Sequence, residues 1–87
     1  MIALTIYSRP GCHLCDEMKA VVSRVTQSMP SRSIEVVEID ISGDPALEAR
    51  YGLEIPVLMV DGRKAAKYRI AERELARVLA GRAGGAG

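Results

Sequence analysis

Eighty-seven residues suffice for one small domain, and a 48% hydrophobic fraction without Phe or Trp gives it a core of Val, Ile, Leu, Met and Ala. Twelve basic against eleven acidic residues leave a net charge of +1, which offers no electrostatic footing for nucleic acid or an anionic membrane. No apolar run approaches the ~20 residues of a membrane span, and the opening Met-Ile-Ala-Leu-Thr-Ile-Tyr lacks the basic start and small-residue cleavage pattern of a signal peptide, so a cytoplasmic protein is expected.

Residues 2–7 (IALTIY) are short, apolar and β-prone and read as a strand, broken by Pro10 and Gly11. From Leu14 the apolar positions Leu14, Met18, Val21, Val22, Val25 and Met29 recur in steps of three and four, one face of a helix that Pro30 ends. Residues 34–41 (IEVVEIDI) form a β-branched run dense enough for a strand covered on both faces. Asp44 and Pro45 are an N-cap and a first helical position, and the short helix they open should stop near Gly52. Residues 56–60 (PVLMV) predict a third strand, Asp61-Gly62 a two-residue hairpin, and 64–70 a fourth strand. A last helix is expected over 72–80, with Leu75, Val78 and Leu79 on one side. The tail, 81–87, has nothing to bury and should be mobile, so the domain is taken as 1–80. The order is β-α-β-α-β-β-α. A right-handed crossover makes the first two strands parallel, and the hairpin adds an antiparallel edge. The predicted fold is therefore α/β, a four-stranded mixed sheet with helices on both faces.

The only two cysteines, Cys12 and Cys15, lie in Ser-Arg-Pro-Gly-Cys-His-Leu-Cys-Asp, between the first strand and the first helix. Helix-start N–H groups have no intrahelical partner and stabilise negative charge, so a thiolate at Cys12 would be favoured and its pKa lowered from ~8.5. A spacing of three also brings two sulfurs of a helical turn within bonding reach. Cys15 shares a flank with Val22 and should be the buried thiol, whereas Cys12 precedes the helix and should be the accessible one. Attack by Cys12 and resolution by Cys15 follow from those positions.

Three plainer readings compete. A structural staple is disfavoured because so small a loop constrains the unfolded chain weakly and the compartment is expected to be reducing. A metal site would have two sulfurs, with His13 pointing away from both, where zinc takes four ligands; a two-coordinate soft metal such as copper(I) stays open. Two inert small hydrophobes do not fit an exposed Cys12. Of the neighbours, Arg9 could hold a substrate carboxylate, and a protonated His13 could favour the thiolate. Asp16 and Glu17 suit the helix dipole but oppose that charge. Asp61-Gly62 is read as turn chemistry only.

Downstream, Glu54-Ile55-Pro56-Val57 opens the third strand with a proline, which cannot donate to a ladder and tolerates a cis bond. A strand, Tyr-Ser-Arg-Pro-Gly-Cys-His-Leu-Cys, an amphipathic helix, and then Ile-Pro-Val-Leu-Met-Val-Asp-Gly together resemble the glutaredoxin branch of the thioredoxin-fold proteins, over about residues 2–80. The resemblance implies a glutaredoxin-like thiol–disulfide oxidoreductase that maintains cellular thiol redox state. In it Cys12 is the nucleophile and Cys15 the resolving thiol. Pro56 is cis and packs beside the cysteines, and the backbone of Ile55 pairs with substrate as an added strand.

The chain also departs from that family's pattern. It has Cys12-His13-Leu14-Cys15 for Cys-Pro-Tyr-Cys and Glu54-Ile55-Pro56 for Thr-Val-Pro. Lys67-Tyr68-Arg69-Ile70 replaces the glycine pair that grips glutathione, and bulky side chains there oppose close backbone approach. The expectation is a monomer with no resident cofactor, acting on disulfide-containing proteins or small thiols. Its reductant is glutathione or a thioredoxin-reductase-type enzyme. The alternatives are a soft-metal or iron–sulfur carrier and a redox-dependent binding module. Small copper chaperones also carry C-x-x-C between strand and helix, but in β-α-β-β-α-β order.

Overall fold

The computed structural model describes residues 2–29 and 33–85, with the side chains of 82–85 left aside. Its elements follow the expected order: β1 (Ile2–Ser8), α1 (His13–Gln27), β2 (Ile34–Asp40), α2 (Pro45–Tyr51), β3 (Val57–Val60), β4 (Arg63–Lys67) and α3 (Glu72–Gly85). The sheet order is β2-β1-β3-β4, with β1 parallel to β2 and antiparallel to β3, and β3 antiparallel to β4. Among the described residues, no helix is long and apolar enough to cross a membrane.

Strand β1 is the organising element because its alternation divides the sheet between two cores. Ile2, Leu4 and Ile6 face α1 and α3 and pack with Met18, Val22, Val25, Leu58, Val60, Leu75 and Leu79. Tyr7 faces the other way, towards α2, where Ile41, Tyr51 and Val57 are buried with Leu47, Ile55 and Met59 against them. The Tyr7 and Tyr51 rings stack at 4.4 Å between centroids. In the absence of Phe and Trp, this tyrosine pair supplies the aromatic bulk of the smaller core.

Three expectations need correction. Strand β2 is not covered on both faces: it is an edge strand, with Val36 and Val37 each 44% exposed. The side of β1 away from β2 is taken by β3, so β2 has one neighbour, and Glu35, Glu38 and Asp40 suit a solvated edge. Strand β4 stops at Lys67 rather than Ile70, because Tyr68 turns the chain with φ +71°. Helix α3 runs to Gly85, past the expected end at Ala80, since Ala80, Arg82 and Ala83 are strong helix formers. Of the expected mobile tail, residues 86–87 lie outside the described residues. Pro30, the expected stop of α1, also lies outside them; the described helix ends at Gln27 with Ser28 as its cap.

The turn chemistry is as expected at two sites and richer than expected at one of them. Asp44 caps α2 through its side chain, which accepts from the N–H groups of Ala46 and Leu47, with Pro45 at the first helical position. Asp61 (φ +50°) and Gly62 (φ +83°) form the hairpin bend. Asp61 does more than turn the chain: its Oδ1 accepts from the Ala3 N–H at 2.9 Å and its own N–H donates to the Ala3 carbonyl, tying the hairpin to the start of β1.

Helix α2 stops at Gly52 as expected, and this C-cap glycine has ordinary right-handed geometry with φ −55°. Its constraint is steric. A Cβ there would lie 2.5 Å from the Glu48 carbonyl oxygen and 3.4 Å from Nη2 of Arg9. Gly52→Ala should therefore destabilise: the clash costs about 1–3 kcal/mol, and lower unfolded-chain entropy returns at most about 1 kcal/mol. A lowered urea midpoint at unchanged m-value is the expected reading; an unchanged midpoint contradicts it.

Candidate redox site

The chain leaves β1 at Ser8 and turns through Arg9-Pro10-Gly11-Cys12, with the Cys12 N–H donating to the Arg9 carbonyl at 3.3 Å. Proline at the second position and glycine with φ +78° at the third are what a type II turn requires. Cys12 then caps α1 in extended geometry, φ −88° and ψ 110°. Its Sγ accepts from the Cys15 N–H at 3.1 Å, so sulfur takes the place of the usual oxygen of an N-cap. Cys12 and Cys15 are joined as a disulfide, with Cα atoms 5.2 Å apart. Cys15 is 1% exposed and Cys12 is half-buried, the asymmetry expected of a resolving and an attacking thiol.

The charges around the pair are largely neutralised by their own partners. His13, 87% exposed, turns its Nε2 to Glu17 at 2.9 Å, one turn along the helix. Asp16 is paired with Lys19 at 3.3 Å. Asp16 is thus drawn to the Lys19 ammonium and Glu17 to the His13 ring, leaving the helix-start N–H groups as the nearest favourable field for a Cys12 thiolate. Arg9 is engaged by Glu48 through Nη2, which ties the turn before Cys12 to helix α2.

A polar chain anchors the same end of the sheet. The Ser8 hydroxyl, 3% exposed, donates to Glu38 at 2.7 Å, and Glu38 also receives Lys19 at 3.1 Å. Strands β1 and β2 and helix α1 meet in this link. The Ser8 hydroxyl foremost, and then Lys19, hold the Glu38 carboxyl below the usual carboxylate range. Glu38, ahead of Asp16, pushes the Lys19 ammonium pKa up. A carboxyl depressed on folding contributes stability above its unfolded pKa and loses it as pH falls through the folded value. Stability should accordingly decline as pH falls through and below the ordinary glutamate range of about 4.3, and Glu38→Gln should flatten that limb. Thermal melts across the range test this; an equally steep decline in the variant contradicts it.

The register places the proline. Tyr7 pairs with Val57, so Pro56 comes to the end of β1 from which the cysteine turn departs. The Ile55–Pro56 bond is cis, as the resemblance implied, and the Pro56 ring is fully buried. Ile55 packs its side chain on the α2-side core. Among the described residues, its backbone N–H and C=O have no hydrogen-bond partner. Glu48, Glu38, Lys19 and Ser8 were not singled out by sequence reasoning, and Tyr68 only as one of the bulky residues 67–70. The Asp16–Lys19 and His13–Glu17 spacings were legible as helical neighbours; the links across 30 and 39 residues left no local signal. Among the described residues, no group of three or more His, Cys, Asp or Glu side chains is arranged to hold a metal ion.

The family model for the Glutaredoxin-like domain (DUF836) matches residues 3–80. The chain belongs to this glutaredoxin-like family. A glutaredoxin-like protein of Dictyostelium discoideum is 30% identical over 77 residues, covering 85% of this chain and 71% of that protein. A crystal structure of a structural-genomics target protein from X. campestris superposes with a TM-score of 0.74 at 31% identity, covering 88% of this chain and 95% of the other. Chloroplastic thioredoxin z superposes with a TM-score of 0.73 over 92% of this chain and 76% of its own, at 14% identity, a likeness of fold alone. The glutaredoxin-like domain here thus carries its cysteine pair on the thioredoxin scaffold, at the junction of β1 and α1.

Proposed function

We propose that this glutaredoxin-like domain is a thiol–disulfide oxidoreductase of the cytoplasm, reducing disulfides in proteins or small molecules. The observation that carries the reading is the Cys12–Cys15 pair at the start of α1, with Cys12 half-buried, Cys15 buried and the Cys15 N–H directed at the Cys12 sulfur. In the reduced protein, the Cys12 thiolate attacks one sulfur of the substrate disulfide. A Cys12–substrate bond forms, the substrate S–S bond breaks, and the departing thiolate takes a proton. Cys15 then gives up its proton and attacks the Cys12 sulfur, releasing the second substrate thiol. Two electrons have passed to the substrate, and the protein holds the Cys12–Cys15 disulfide.

Ile55 serves substrate binding in this reading. Its backbone amide and carbonyl, without a partner among the described residues, stand where an extended substrate segment can add to the end of the sheet. Pro56 offers no N–H there and leaves that role to Ile55. Proteins suit this end of the sheet better than glutathione does, since Lys67, Tyr68 and Arg69 put bulky side chains at the end of β4 and just beyond it. The oxidised protein returns to the dithiol at the expense of glutathione or a thioredoxin-reductase-type enzyme.

Iodoacetamide labelling of the reduced protein at neutral pH tests the assignment of roles. Cys12 should be modified well before Cys15, followed by mass spectrometry of the tryptic peptides. Preferential labelling of Cys15 would reverse the roles.

A further inference from the structure

Only two non-glycine residues among the described ones have positive φ, Asp61 and Tyr68. Asp61 is explained by its hairpin. Tyr68 is not, since a bulky residue avoids the left-handed region and stays there only when its surroundings hold it. Its surroundings are specific. The Tyr68 N–H donates to the Pro56 carbonyl at 2.8 Å, and the Tyr68 hydroxyl donates to the Leu53 carbonyl at 3.1 Å. The Lys67 ammonium lies 5.5 Å from the ring centroid.

The two accepting carbonyls bracket Glu54 and Ile55. Glu54 is itself held, by its N–H on the Tyr51 carbonyl and by its carboxylate on Lys64 at 2.6 Å. Residues 53, 54 and 56 are each fixed by a hydrogen bond, whereas the backbone of Ile55 has none among the described residues. One strained residue on the far side of β4 therefore clamps both ends of the segment that leaves Ile55 open.

We infer that Tyr68 is a positioning residue: its left-handed backbone and its hydroxyl together hold residues 53–56 so that the Ile55 amide and carbonyl stay presented to an extended substrate chain. The inference rests on the oxidoreductase reading but acts through binding, not through the thiols. A loose 53–56 segment would have to be ordered by each incoming substrate, and that cost falls on KM.

Tyr68→Phe removes the hydroxyl and keeps the ring and the N–H. Tyr68→Asn also lacks the phenol, and asparagine tolerates positive φ, so it folds if the phenylalanine variant does not. With insulin as the disulfide substrate and dithiothreitol as the reductant, both variants should raise KM about three- to tenfold, the worth of one hydrogen bond. The rate constant kcat and the rate of Cys12 alkylation should stay as in the wild type. Backbone amides of residues 53–55 should exchange faster with solvent in both variants, a readout independent of activity. Unchanged KM together with unchanged exchange overturns the assignment. Activity that falls through kcat, in step with the fraction folded, overturns it too and makes the tyrosine structural. A wild-type protein that leaves insulin oxidised while Tyr68→Phe still speeds exchange removes the oxidoreductase reading and leaves only the loop clamp.

Discussion

Cys12→Ser should abolish disulfide reduction, by a factor on the order of a thousand or more, while leaving the fold intact. Serine is among the best N-cap residues, and its hydroxyl can accept the Cys15 N–H that the Cys12 sulfur now accepts. Helix α1 thus keeps its cap, and the loss is one of chemistry: a hydroxyl without an activating base is a far weaker nucleophile than a thiolate. Cys15→Ala should act differently. The first attack by Cys12 remains, but no thiol is left in reach to resolve the mixed disulfide. The variant should accumulate as a covalent Cys12–substrate adduct visible by mass spectrometry and released by dithiothreitol. Wild-type turnover in Cys12→Ser, or no adduct with Cys15→Ala, would contradict the assigned roles.

The largest effect on stability is expected at Leu58. It is fully buried, sits on β3 opposite Ile6 and Ala66, and packs in the core beneath α1 and α3. Truncating a buried leucine to alanine costs about 2–5 kcal/mol, through lost burial and the cavity left behind. A domain of this size has a total of roughly 4–13 kcal/mol to lose. The buried members of this core are Leu, Ile, Val and one methionine, Met18, whose flexible side chain can fill part of the space. The lower half of the range is thus favoured, about 2–3 kcal/mol. At about 4–8 °C per kcal/mol for a domain of this length, Leu58→Ala should lower Tm by about 10 °C or more in scanning calorimetry. A shift below about 3 °C would mean that β3 is not the central buried strand.

Local signals carried most of the fold. Alternation in IALTIY, the three-and-four spacing from Leu14 to Val25, the Asp44-Pro45 start and the Asp61-Gly62 bend are each encoded within a few residues, and the structure has the corresponding element at each. The error at β2 has a physical cause. A β-branched run describes a strand's fitness for a sheet, whereas its number of neighbours depends on which strand takes the other side of β1. The glutamates inside IEVVEID were the available sign of an edge. The different burial of the two cysteines was legible because capping and burial are set by position on one helix. The Arg9–Glu48 and Ser8–Glu38 links were not, since each joins residues that only the sheet brings together. Tyr68 escaped notice because nothing in a tyrosine's identity announces a left-handed backbone; the segment was read for its lack of glycine, and the structure shows that one of its residues adopts a conformation glycine would favour.

The central claim is that Cys12 and Cys15 form a single two-electron couple that exchanges with protein disulfides. The direct measurement is the redox equilibrium of the purified protein, followed by alkylation and mass spectrometry, against glutathione buffers and against a thioredoxin-reductase system. The account predicts one transition with a two-electron slope, about 30 mV per tenfold change in ratio, reached from both the oxidised and the reduced side, and net reduction of an added protein disulfide. Two thiols that titrate independently as separate glutathione adducts, or a pair that exchanges with neither system, would contradict it.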